Sequence, residues 1–146
     1  MTALRRVFLI VALVVIAAAL VAAFVFADAD AAWHSPIAKR ARACDQESAK
    51  RWTPAELRCV VRTIFPRDEW ANAERVIECE SSWNRTARHV NVDGSVDLGM
   101  WQINSRWNAD GIRYALDPVE ATAYALRTLR VRGWGDWVCA DLVGIV

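Results

Sequence analysis

The chain has 146 residues, 55% of them apolar, and a formal net charge of +1. That length allows one compact domain and an appendage, not several domains. Beyond residue 27 there are 16 Lys+Arg (18 less Arg5 and Arg6) against 17 Asp+Glu, a net of −1; this excludes a strong basic field and, with it, a nucleic-acid partner.

The appendage comes first. Val7 to Ala27 is a run of 21 apolar residues with no charge or proline, preceded by Arg5 and Arg6 and followed by Asp28 and Asp30. A helix of that length spans about 30 Å of hydrocarbon. The positive flank places residues 1–6 in the cytoplasm and everything after residue 27 outside the cytoplasmic membrane. The expectation is a single-pass membrane protein anchored through residues 7–27. The Ala27-Asp28-Ala29 exit keeps two alternatives open: secretion after cleavage near Ala29, and a segment that enters the membrane and is later released.

Residues 28–51 mix Ala, Asp, Lys and Arg with little periodic apolar content and read as a linker, its far end pinned to the domain by Cys44. Residues 52–146 read as the domain. Thr53-Pro54 marks a helix start, with Glu56 three residues after the cap. Leu57, Val60, Val61 and Ile64 supply its apolar stripe, and Pro66 ends it. A second helix is expected from about Asp68 to Ser82, burying Trp70, Ala73, Val76 and Ile77. Val90, Val92, Val96 and Leu98 around Asp93-Gly94 read as a short β-hairpin. Asp117-Pro118 starts a third helix running to about Val131. Trp83, Trp101, Trp134 and Trp137 are expected in or near the core, since each buries a large apolar area. The fold class is mainly α, with a small hairpin.

Cys44, Cys59, Cys79 and Cys139 all follow the apolar run and face an oxidising space, so two disulfides are expected, with three pairings open. Zinc is not supported: no C-x-x-C occurs, and His34 and His89 lie far from any cysteine pair. The spacing Asn91-x-Asp93-x-Ser95-x-Asp97 suggests a calcium loop, but Val96 and Gln102 stand where such a loop needs Gly and Glu. No metal or organic cofactor is implied.

Glu80 falls three residues after Ile77 and four after Val76, on or at the edge of an apolar helix face. Desolvation there raises a carboxyl pKa and keeps a proton available near neutral pH. A plain surface glutamate paired with Arg85 or Arg88 is the alternative. Asp97 lies 17 residues on, in the second hairpin strand. A helix-end glutamate facing a strand aspartate suits glycoside cleavage: one protonates the leaving oxygen, the other stabilises or captures the oxocarbenium centre. Read alone, Asp97 could equally be a turn residue bonding its own backbone.

The stretch Glu80-Ser81-Ser82-Trp83-Asn84, followed by Asn91-Val92-Asp93-Gly94-Ser95-Val96-Asp97-Leu98-Gly99-Met100-Trp101-Gln102-Ile103-Asn104-Ser105-Arg106-Trp107, resembles the active-site region of the C-type lysozymes. It also resembles the lysozyme-like lytic transglycosylases of bacteria and phages, which carry E-S-x-(F/W)-N and G-x-x-Q-I. The resemblance implies a lysozyme-like fold with the hairpin flanking a cleft. It implies Glu80 as general acid and Asp97 as second carboxylate. Asn91 and Asn104 would bond Asp97 or the sugar, Gln102 would line the cleft floor, and Trp107 would stack on a sugar. The substrate implied is the β-1,4-linked glycan strand of peptidoglycan, cut by a monomer.

The flanks depart from the C-type pattern. The cysteines do not follow its spacing, Cys79 standing directly before Glu80. The Ala123-Tyr124-Ala125 segment and Gly133-Trp134-Gly135-Asp136-Trp137 are similar to transglycosylase-type domains, which would bring Tyr124 to the cleft beside Glu80; a core or rim aromatic is the other reading. Asp97 argues for hydrolysis and the C-terminal half for transglycosylation, with Glu80 as sole acid and base. A catalytically silent, membrane-held glycan-binding module is a third reading, as is a signalling partner acting through its apolar helix.

Overall fold

The computed structural model describes residues 35–45 and 52–146. The chain divides into Met1–Ser35 and Pro36–Val146, and the second unit holds five α-helices and one small sheet among the described residues. The helices are α1 (Pro36–Arg42), α2 (Pro54–Ile64), α3 (Trp70–Ser81), α4 (Pro118–Arg132) and α5 (Val138–Leu142); the strands are β1 (Arg88–Val90), β2 (Val96–Leu98) and β3 (Ile103–Asn104).

Two helix starts follow directly from local chemistry. Thr53 accepts from Glu56 N while Glu56 Oε2 accepts from Thr53 N at 2.7 Å, a reciprocal cap with Pro54 inside the first turn. Asp117 accepts from Val119 N and Glu120 N, again with proline at the first helical position. Each cap satisfies backbone donors that the helix cannot bond itself. The helix expected from residue 68 begins as a short 3-10 turn, Arg67–Glu69, and becomes α-helical at Trp70.

The core is aromatic. Leu57 and Val61 of α2, Val76 and Ile77 of α3, and Ala121 and Ala125 of α4 close around Phe65, Trp101, Trp134 and Trp137. Phe65 stacks on Trp101 at 5.3 Å, and Trp137 tilts against both Trp101 (5.7 Å) and Trp134 (5.4 Å). The indole N–H groups inside this packing are bonded: Trp101 donates to Thr122 Oγ1 and Trp137 to the Trp101 carbonyl. Burial therefore leaves no polar penalty on these rings.

The structure adds to two expectations and overturns a third. The stretch expected as a linker, 28–51, contains α1, whose Ala38 and Ala41 pack with Cys44 against Val60 and Val119. The Cys44–Cys59 disulfide ties the end of α1 to α2, and Arg42 pairs with Asp117 and Glu120 at 3.1 and 3.3 Å. The hairpin is part of a three-stranded antiparallel sheet, because Ile103 and Asn104 pair with Leu98 and Asp97. The expectation overturned concerns the membrane: no helix among the described residues is long and apolar enough to cross one. The single-pass reading is therefore not retained, and the expected anchor, residues 7–27, lies outside the described residues.

Gly99 joins the sheet to the core. Its φ is +76°, and a Cβ there would lie 1.8 Å from the Ala115 carbonyl oxygen. No side chain fits without moving backbone, so Gly99→Ala costs about 3 kcal/mol. Urea unfolding followed by tryptophan fluorescence measures it, and a midpoint equal to that of the parent chain would refute the packing argument.

Candidate active site

One cleft, of about 690 Å³, lies between the sheet and the C-terminal helices. Glu80, Asp97, Asn91, Gln102, Asn104, Trp107 and Tyr124 all line it. Residues 80 and 97 come from different elements, one from the last turn of α3 and the other from the centre of β2.

Glu80 is half-buried, and the backbone N–H of Cys139 donates to its Oε1 at 3.2 Å. Burial raises its pKa above the ordinary glutamic-acid value; the Cys139 N–H opposes this, and the negative charge of Asp97 adds to it. Desolvation disfavours the charged form, so the group keeps its proton to higher pH. The turn carrying it is fastened to the segment between β2 and β3, because the neighbouring Ser81 hydroxyl donates to the Met100 carbonyl at 2.9 Å. The helix then stops abruptly: Ser82 and Trp83 both take positive φ, 48° and 62°. Arg85 instead donates to the Leu116 carbonyl.

Asp97 is held by amides on both oxygens. Asn91 Nδ2 donates to Oδ2 at 2.8 Å and Asn104 Nδ2 to Oδ1 at 2.6 Å. Register explains this: Asp97 is the direct partner of Asn104 across β2–β3, and Asn91 follows β1, which pairs with β2 on the other side. The Asn104 Oδ1 accepts from the backbone of Arg106 and Trp107, which orients its amide. The turn at Asp93-Gly94 is closed by Ser95, whose N–H and hydroxyl both bond Asp93 Oδ1. Asn91 and Asn104 are thus brought together as holders of Asp97.

Gln102 turns back on the chain, with φ of +46° and its Nε2 on the Gly99 carbonyl at 2.7 Å. Trp107, 73% exposed, and Val92, fully exposed, are exposed apolar side chains on the same lining. Tyr124 is 5% exposed, and its hydroxyl is shared between Asn108 (2.9 Å) and Asp110 (3.2 Å). Burial and the Asp110 carboxylate raise its pKa. Tyr124 thus lines the same cleft as Glu80, with its hydroxyl bonded to Asn108 and Asp110.

The cysteines pair as Cys44–Cys59 and Cys79–Cys139. Sequence reasoning misses part of the cleft: Asn108, Arg132 and Asp136 complete the wall opposite the sheet. Arg132 bonds Asn108 Oδ1 at 3.2 Å and pairs with Asp136 at 3.0 Å. The one signal for this is the four-residue spacing of Arg132 and Asp136, which suits an ion pair anywhere on a protein surface. Trp137, expected in the core, also borders the cleft.

No family model matches the chain. A curated relative described as lysozyme C, from Scophthalmus maximus, is 36% identical over a segment covering 32% of this chain and 45% of that protein. The chain thus spans less than half the length of this relative. A crystal structure of a lysozyme from Litopenaeus vannamei superposes with a TM-score of 0.51 at 26% identity, covering 64% of this chain and 86% of that one. The chain is thus similar to lysozymes over one segment of its sequence, and its fold is lysozyme-like. The transglycosylase likeness of its C-terminal half is not shown by these matches.

Proposed function

We propose that this chain hydrolyses the β-1,4 bonds between N-acetylmuramic acid and N-acetylglucosamine in peptidoglycan. The observation that carries the reading is a half-buried glutamic acid with raised pKa lining one cleft with an aspartate held on both oxygens. Glu80 is the general acid and protonates the leaving glycosidic oxygen. Asp97 stabilises or captures the oxocarbenium centre. Glu80, now charged, takes a proton from the incoming water and returns to its starting state. This division of labour follows from the two environments: one carboxyl is desolvated, the other is surrounded by amide donors. The burial of Glu80, which raises its pKa, supports the first half.

The asparagines keep Asp97 oriented, Gln102 shapes the floor, and Trp107 offers an exposed ring on which a sugar stacks. In this reading the catalytic domain spans residues 52–146 and acts as a monomer, with α1 packed against α2 and α4. Trp107→Ala raises KM about tenfold with kcat little changed, since the ring binds substrate and transition state alike. Steady-state kinetics on a soluble glycan oligomer reads this, and an unchanged KM would remove Trp107 from the binding surface.

Clearing of a suspension of purified walls, with mass spectrometry of the products, tests the function. Reducing ends are expected. Anhydro ends would make the chain a lytic transglycosylase with Glu80 as sole acid and base. Binding without cleavage would make it a silent glycan-binding module.

A further inference from the structure

A closed circuit of bonds runs through Glu80. Cys79 precedes it in α3, and Cys139, bonded to Cys79 by a disulfide, is the residue whose backbone N–H meets Glu80 Oε1. Cys139 lies in α5, only five residues long, whose N-terminal cap residue, Trp137, makes no side-chain capping bond. Non-covalent anchors of the helix are Trp137 and Ala140, both in the aromatic core. Val138 and Leu142 are exposed, while Cys139 and Ala140 are its buried residues. Beyond it, Arg75 bonds the Val143 carbonyl. The disulfide is thus the one covalent link between this short helix and the helix that carries the acid.

We propose that the Cys79–Cys139 disulfide is a positioning element of the active site, holding the Cys139 N–H on Glu80 Oε1 so that the proton is carried on Oε2. The inference rests on Glu80 being the acid. A carboxyl oxygen that accepts an N–H bond takes the carbonyl role, and the proton sits on the other oxygen. Without the bond the carboxyl group turns about its last torsion, which is broad, and either oxygen can hold the proton. The second disulfide, Cys44–Cys59, joins α1 to α2, and neither of its cysteines lines the cleft. It provides a control that loses a cross-link without touching Glu80.

The experiment compares C79A/C139A with C44A/C59A. The titration midpoint of the Glu80 carboxyl is read by carbon NMR in the absence of substrate. The N–H favours the charged form, so its loss moves the midpoint of C79A/C139A upward by about half a pH unit or more. The alkaline limb of the rate profile moves with it, and kcat at the optimum falls about tenfold with KM unchanged. C44A/C59A keeps the parent midpoint and KM. A parent-like midpoint in C79A/C139A, or equal displacement in both variants, overturns the proposal. If the alanine pair does not fold, C79A/C139V, which refills the volume, is titrated and judged by the same criterion. The two readings separate cleanly. A displaced midpoint in a chain that leaves walls intact supports the positioning role and defeats the enzymatic one. A fixed midpoint in a wall-cutting chain does the reverse.

Discussion

Glu80→Gln loses about 10³-fold or more of wall-clearing activity and gains stability at neutral pH. The amide has no acidic proton to give, so the leaving oxygen departs unassisted. The fold is kept, because the amide oxygen still accepts the Cys139 N–H. The stability change follows from the raised pKa. The folded chain holds the Glu80 proton more tightly than the unfolded chain does. Between the unfolded value and the raised folded value the native state therefore binds more protons, and stability falls as pH rises through that window. Glutamine removes this loss. The melting temperature of the variant matches that of the parent in acid and exceeds it above the raised folded value. Calorimetry across pH checks the second half, and wall turbidity the first. Retained lysis would remove Glu80 from the mechanism, and coincident melting curves at every pH would remove the desolvation argument.

Local chemistry makes part of the fold and of the cleft legible in the sequence. Thr53 with Glu56, and Asp117 with Pro118, mark helix starts because a cap is settled by residues within one turn of each other. The Asp93-Gly94 turn and the 17-residue step from Glu80 to Asp97 are likewise visible, and the cleft brings both carboxyls onto its lining. What stays hidden depends on distant partners. The helix Pro36–Arg42 turns only Ala38 and Ala41 inward, too weak a stripe to read, and is secured by a disulfide and by ion pairs to residues 117 and 120. Strand β3 is two residues long, and its pairing with β2 has no pattern of its own. The bond on Glu80 comes from a backbone N–H 59 residues away, a group with no side-chain signature. Its cysteine is visible in the sequence, but four cysteines leave three pairings open.

Asp97→Asn loses about 10³-fold in rate and also destabilises the fold, by about 1–3 kcal/mol. Both Asp97 oxygens receive an amide N–H, at 2.8 and 2.6 Å. An asparagine must present its own NH₂ to one of those donors. Asn104 cannot turn over to meet it, because its Oδ1 already accepts from the backbone N–H groups of Arg106 and Trp107. Asn91 can turn only by giving up its bond to Ser95 Oγ, and the Ser95 proton is already given to Asp93. The conflict propagates into the hairpin turn. Asp97→Ala separates this from the chemistry, since it removes the charge without adding a donor and lets cleft water meet the two asparagines. Hydrolysis with two carboxylates requires that the alanine variant lose rate as severely as the asparagine one, with a smaller loss in urea midpoint. A mechanism with Glu80 as sole acid and base predicts that the alanine variant stays within about tenfold of the parent and yields anhydro ends. The rate of Asp97→Ala, read with its product ends, therefore decides whether the amide pair around Asp97 serves a reacting group or only a turn.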